Sequence, residues 1–248
     1  MNGTAGNLVM ERRFNGPPES AHGGLACGRF AGRAQELLGG TAPGVVTLHA
    51  PPPLDVQLRI ERAGNRVHIW HEETLVASVS RAEARLGTVP FVPPDLIADA
   101  ERGYPSAAEH PFPTCFVCGP LRSGTDGLGL APGQLPGRPG ITGCRWTPDA
   151  SLGAGHGQPV PPEFAWAALD CPGGWTADLV QAPMVLKRFT VLLTEPPIVG
   201  TPHVVVGERD ADDGHALTTR TALYLDDGTL VGRALAQWVR LAPRTASG

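Results

Sequence analysis

The tightest constraint on the fold of this chain is a repeat. The segment VVTLHAPPPLDVQLRIERAGNRVHIWHEETLVASVSRAE, from Val45, is matched by RFTVLLTEPPIVGTPHVVVGERDADDGHALTTRTALYLDDGTLVGRALAQW, from Arg188. Each begins with an apolar strand that runs into a proline pair, around Pro52 and Pro197. An alternating strand follows, then a polar turn (Ala63-Gly64-Asn65 in one, Asp212-Asp213-Gly214 in the other), then a second alternating strand. Alternation of apolar and polar residues marks strands with one buried face. Each copy then turns into nearly the same words, Thr74-Leu75-Val76-Ala77 and Thr229-Leu230-Val231-Gly232. Asp227-Gly228 is a strong hairpin signal. The second copy is about ten residues longer, and the extra length falls in its hairpin.

The flanks of the two meanders correspond as well. Residues 22–38 read as a helix ahead of the first. Residues 162–170, PEFAWAALD, read as a helix ahead of the second, with Phe164, Ala167 and Ala168 at helical spacing. Strands are expected before both helices, at 7–14 and at 128–130 with 141–146. The order strand, helix, antiparallel meander therefore occurs twice, which is an α+β pattern. Prolines 90, 93, 94, 105, 111 and 113 mark a connector, with one short helix at 94–102. The expected division is a first unit over 1–85, a connector over 86–113 and a second unit over 114–248.

Bulk properties narrow the function. The chain has 248 residues, 42% hydrophobic and 18% charged, so it can bury a sizeable core. A net charge of −4, with Lys187 the only lysine, offers no basic stripe for nucleic acid or anionic membrane. No apolar run is long enough for a membrane span, and the first residues lack the pattern of a signal peptide. A cytoplasmic location with free thiols on all five cysteines is the expectation.

His22-Gly23-Gly24 stands at the start of the first helix. Free amide N–H groups there can hold an anion or polarise a carbonyl. Such a site needs an acid or base facing it, and the helix offers none before Glu36. The first half resembles the HGG thioesterases of the hotdog superfamily, the phenylacetate-pathway type. Their pattern is an Asn, a Gly-containing turn, His-Gly-Gly, and an acid eight positions after the His. Asn15, Gly16 and His22-Gly23-Gly24 match, but the eighth position after His22 is Phe30. In the second half Asp170 stands eight positions after Pro162, so that half carries the acid and lacks the HGG. The stretch CFVCGPLRSGTDGLGL, from Cys115, is similar to the lead-in of many single hotdog thioesterases.

The resemblance implies a double hotdog, two antiparallel sheets each wrapped on a central helix and set edge to edge. It implies one composite site, with Asp170 facing His22-Gly23-Gly24, and an inert mirror site where Phe30 faces Pro162-Glu163-Phe164. Asp170 would be general base or nucleophile, and Gly23 or Gly24 N–H the oxyanion donor. His22 would orient substrate or cap the helix, and Asn15 would position water or the carbonyl. The implied substrate is acyl-CoA or an acyl carrier protein, with CoA or phosphopantetheine as part of the substrate and no other cofactor. A homodimer of fused units is compatible with it.

Two other relatives fit less well. The fused acyl-CoA thioesterase II pattern backs its Asp with Thr and Gln from later strands; Gln237 lies one residue out of register, and no Thr matches. Double-hotdog dehydratases use a first-half His and a second-half Asp, but their His opens a longer strand motif. That reading would make His22 a base and Asp170 an acid, and a non-catalytic acyl-binding protein is the further alternative. Cys115-x-x-Cys118 lacks a second such pair or a histidine pair at ligand spacing, so no metal is expected. Gly153-Ala154-Gly155-His156-Gly157 lacks the strand and helix of a phosphate loop and reads as a loop.

Overall fold

The computed structural model describes residues 4–40, 44–81, 86–122, 125–153 and 155–241. Ala154 of the glycine-rich stretch and the outer limits of the expected division, residues 1, 85 and 248, lie outside them.

Among the described residues, eleven strands form one sheet. They are β1 (Thr4–Val9), β2 (Gly44–Leu48), β3 (Gln57–Ala63), β4 (Arg66–His71), β5 (Thr74–Arg81), β6 (Gly133–Gln134), β7 (Ile141–Trp146), β8 (Met184–Leu193), β9 (His203–Asp212), β10 (Ala216–Leu225) and β11 (Leu230–Arg240). Their order is β1-β3-β4-β5-β2-β8-β11-β10-β9-β7-β6, with every pairing antiparallel. The repeat is visible in that order. The first half runs β1-β3-β4-β5-β2, and β7-β9-β10-β11-β8 follows the same sequence of elements. The halves meet at β2 and β8, where Val45, Val46 and Thr47 pair with Thr190, Phe189 and Arg188.

The two sheets were expected edge to edge, and at β2 and β8 they are joined into one. The reason is local: β2 and β8 end their own half-sheets, and an unpaired edge carries a row of free backbone N–H and C=O groups. Joining the edges pairs both rows. The extra length of the second copy lies in longer strands, ten residues each in β9 and β10 against seven and six in β3 and β4.

Among the described residues, four α-helices accompany the sheet: α1 (Gly23–Leu38), α2 (Pro94–Arg102), α3 (Pro162–Ala168) and α4 (Cys171–Gly174). The apolar side of α1 packs on β2, β4, β5 and β8, and α1 lies against α3. Gly24 and Gly28, one turn apart, let the two helices close up. A Cβ on Gly28 would lie 2.7 Å from the Glu163 Cα and 2.9 Å from the Trp166 Cβ. The second helix does not run unbroken through 162–170. It stops at Ala168 and resumes at Cys171, because Pro172 has no N–H to continue the ladder. Threonines bind carbonyls around this break: Thr221 Oγ1 donates to Leu169 O at 2.7 Å and Thr142 Oγ1 to Pro172 O at 2.6 Å.

Two other expectations need adjustment. Strand 7–14 shortens to β1, because the chain turns into a single 3-10 turn at Arg12–Phe14. Residues 128–130 are not a strand; Leu128 N and Leu130 N bond to Phe116 O and Val117 O, which ties this loop to the Cys115–Cys118 turn. The helix at 94–102 is α2, which packs on β6 and β7. With Val89 and Val92 it covers one face of the second half-sheet, against Val204, Val206, Ala222 and Tyr224. The alternate residues Val205 and Leu223 face the main core, as strand periodicity requires.

Candidate active site

His22 is the N-cap of α1. Its Nδ1 accepts from Leu25 N at 3.3 Å, so in the neutral ring the proton sits on Nε2. That nitrogen lies 3.4 Å from Asp170 Oδ2 and 3.2 Å from Cys171 Sγ. Asp170 lies in the break between α3 and α4, and it is 2% exposed. Its Oδ2 accepts the Gly24 N–H at 2.6 Å. Its Oδ1 is buried and has no hydrogen-bond partner among the described residues. An acid from the second half thus sits on the helix N-terminus of the first, 146 residues away in sequence.

Gly24 permits this contact. A Cβ there would lie 2.5 Å from the Asp170 Cβ and 2.9 Å from both Asp170 Oδ2 and Trp166 O. The two glycines therefore differ. The Gly24 amide holds the acid, whereas Gly23 lines the adjoining cavity with His22 and Asp170. Asn15 stands elsewhere. Its Nδ2 donates to Gly16 O and to Thr114 Oγ1, and its Oδ1 accepts from Arg122. It is absent from the cavity lining and instead braces the Cys115–Cys118 turn, whose Phe116 N donates to Asn15 O at 2.8 Å.

Charges in the site follow from burial and neighbours. Burial pushes the Asp170 carboxyl up to about 6, against the opposing pull of His22 and the Gly24 amide. For His22, burial disfavours the charged ring, but Cys115 and Asp170 outweigh it and raise its pKa. The Cys115 thiol is lowered well below its usual range by bonds from Cys118 and Cys171, with His22 adding to them.

The cavity beside these groups measures about 540 Å³. Its walls are largely apolar, with Phe112, Trp175, Met184, Leu186 and Trp238 among them, and Lys187 supplies a cation. Trp238 and Val239 line it while Gln237 is exposed, so the one-residue offset of Gln237 does turn it away. Cys115, Cys118 and Cys171 also line it. The Cys-x-x-Cys spacing marks Cys115 and Cys118 in the sequence as metal-ligand candidates, but without a second pair no metal is expected from it. The corresponding region toward the other end of α1 is a cleft of about 320 Å³, lined by Gly28, Gly44, Arg81, Pro162 and Leu193 among others. No carboxylate or imidazole is among the described residues that line it. Phe30 is fully buried, and Phe164 packs on Phe14 and Phe116 at 6.1 Å between ring centroids in both cases.

Among the described residues, no helix is long and apolar enough to cross a membrane. No family model matches the chain, and no curated protein matches it by sequence. Solved structures do match. A conserved protein of unknown function with a hot dog fold, from Alicyclobacillus acidocaldarius, is similar over 98% of this chain and 96% of its own, at TM-score 0.63 and 16% identity. The tesB protein of Mycobacterium avium subspecies paratuberculosis is similar over 97% of this chain and 96% of its own, at TM-score 0.60 and 13% identity. An acyl-CoA thioesterase II from Mycobacterium marinum is similar over 92% of both chains, at TM-score 0.55 and 13% identity. The likeness spans nearly the whole chain, and what it establishes is that this chain has the hotdog fold.

Proposed function

We propose that the chain is two fused hotdog units that hydrolyse acyl thioesters, carried on CoA or a carrier protein, at one composite site between the halves. The observation that carries this reading is the Asp170 carboxylate. One oxygen is anchored on the Gly24 amide, the other has no hydrogen-bond partner among the described residues, and Asp170 lines an apolar cavity.

The chemistry follows from that placement. An acyl chain is stabilised in the apolar cavity by loss of water contact. The thioester carbonyl oxygen accepts from Gly23 N–H, where the helix N-terminus favours developing negative charge. Water bound to Asp170 Oδ1 gives up a proton as its oxygen attacks the carbonyl carbon. The tetrahedral intermediate collapses, the C–S bond breaks, and the proton returns from Asp170 to the departing thiolate. His22 holds the helix start and borders the carboxylate. Asn15 braces the Cys115–Cys118 turn. The mirror cleft lacks an acid and serves no hydrolysis.

A hydrolysis screen over acyl-CoA chain lengths tests the reading, with Asp170→Asn as control. Turnover that the substitution abolishes supports it. Dehydration of a 3-hydroxyacyl thioester without hydrolysis would replace it with a dehydratase, and binding without turnover would replace it with an acyl-binding protein.

A further inference from the structure

The wall of the cavity holds more sulfur than thioester hydrolysis uses. Three segments far apart in sequence bring His22, Cys115, Cys118 and Cys171 to one place. The ligand atoms of His22, Cys115 and Cys171 all lie within 4.8 Å of one another. Cys118 lines the same cavity, with its Sγ 3.7 Å from His110 Nε2. All four residues are buried, at 3%, 3%, 5% and 8% exposure. Thiols are weak hydrogen-bond partners, so such bonds alone are a poor reason to gather three of them in a core.

The Cys115–Cys118 turn is stiff. Gly119 N donates to Cys115 O at 2.9 Å, and any side chain at Gly119 would strike the backbone of Cys115 and Pro113. Phe116, fully buried, is held by bonds to Asn15 O and from Leu128 N. Tyr104 Oη donates to Cys118 O at 2.8 Å. Both thiols are thus fixed toward the cavity before any ligand arrives. The remaining two groups come from the start of α1 and the start of α4, 149 residues apart.

We propose that Cys115, Cys118, Cys171 and His22 Nε2 form a binding site for one thiophilic divalent cation, Zn²⁺ being the representative case. Three thiolates and one imidazole are a standard tetrahedral set for that ion. With metal–sulfur bonds of about 2.3 Å, tetrahedral ligand atoms lie about 3.8 Å apart. The spread of up to 4.8 Å among His22, Cys115 and Cys171 therefore needs a contraction of about 1 Å, with the Cys118 thiol turning in from the same turn as Cys115. Soft sulfur ligands exclude Mg²⁺ and Ca²⁺, which take oxygen. Loading has one local cost: with a cation on Nε2 the neutral ring carries its proton on Nδ1, and the 3.3 Å contact from Leu25 N gives way. The sequence expectation of no metal rested on the missing second ligand pair. The fold supplies that pair from His22 and Cys171. The site adjoins the proposed hydrolytic one, since His22 Nε2 lies 3.4 Å from Asp170 Oδ2, so its test reads metal uptake rather than turnover.

The test uses the full chain. Metal content is measured on protein purified without chelator, and the apo-protein is then titrated with Co²⁺, whose thiolate charge-transfer and tetrahedral ligand-field bands report the ligand set. About one cation per chain and an intense tetrahedral spectrum are expected. Cys115→Ser and Cys118→Ser lose both, while Cys27→Ser and Cys144→Ser, which alter the other two cysteines, keep both. Circular dichroism checks that each variant folds. His22→Cys retains binding with a more sulfur-rich cobalt spectrum, and His22→Ala binds at least tenfold more weakly, a readout a packing role would not give. Wild-type protein without stoichiometric metal, whose apo form takes up Co²⁺ no better than the Cys115→Ser/Cys118→Ser double variant, overturns the proposal. So does oxidation of two of the three thiols to a disulfide in preference to metal uptake.

Discussion

Gly24→Ala puts the closest contact of the site under a known load. In an exposed helix the change gains about 1 kcal/mol, because alanine has the higher helix propensity. Here the new Cβ would sit 2.5 Å from the Asp170 Cβ, where carbon atoms settle at about 3.5–4.0 Å. It would also sit 2.9 Å from Trp166 O, so neither side chain rotation nor a small slide relieves it. The α1–α3 contact must open by about 1 Å. Overpacking of this kind costs about 1–3 kcal/mol. The buried charge-assisted bond from Gly24 N to Asp170 Oδ2, 2.6 Å long, lengthens or breaks, at about 1.5–3 kcal/mol. The net expectation is a loss of about 2–5 kcal/mol. For a chain of 248 residues that lowers Tm by about 5–15 °C. A shift of 1 Å in the reacting geometry also lowers kcat by about 10²-fold. Gly32 on the same helix is the internal control, since a Cβ there meets nothing within 4 Å. Gly32→Ala should raise stability by up to about 1 kcal/mol. Thermal melts and the loss of thioester absorbance measure the two effects. If Gly24→Ala melts with or above wild type and turns over normally, the close contact between the amide and the acid is not the seat of activity.

Asp170→Asn keeps the shape and a hydrogen bond while removing the proton acceptor. It should lower kcat by about 10²–10⁴-fold with a much smaller change in KM, and steady-state kinetics on a hydrolysed acyl-CoA would show an equal fall in both terms if the reasoning is wrong. His22→Ala removes the N-cap of α1 and should cost about 0.5–2 kcal/mol by urea denaturation. Its effect on kcat should be smaller than that of Asp170→Asn, and a larger effect in the same assay would make His22 the base. Calorimetric titration with a non-hydrolysable acyl-CoA analogue should give one equivalent per chain, because the mirror cleft has no acid; two equal sites would contradict the division between the halves.

Much of this architecture is written in local patterns. The alternating runs in β3, β4, β9 and β10, the turns at Gly64 and Gly228, and the glycines that open α1 each act over a few residues, so a linear reading finds them. The repeat doubles that signal, and the resemblance to the HGG thioesterases points to Asp170 and to a partner motif in the other half. Other features depend on residues that meet only after the chain has closed. Which residues of β2 and β8 face each other across the joined edges, Val45 to Thr190 and Thr47 to Arg188, is one such feature. Gly24 takes the acid and leaves Gly23 to the cavity because α1 and α3 close to within one side chain of each other, a spacing no local pattern encodes. Asn15 is drawn off by Thr114 and Arg122, which lie 99 and 107 residues away. The gathering of Cys171 and His22 around the Cys115–Cys118 turn arises the same way. Helix and strand follow from periods of a few residues, whereas a site is made where distant segments pack, and packing alone chooses which side chains face one another there.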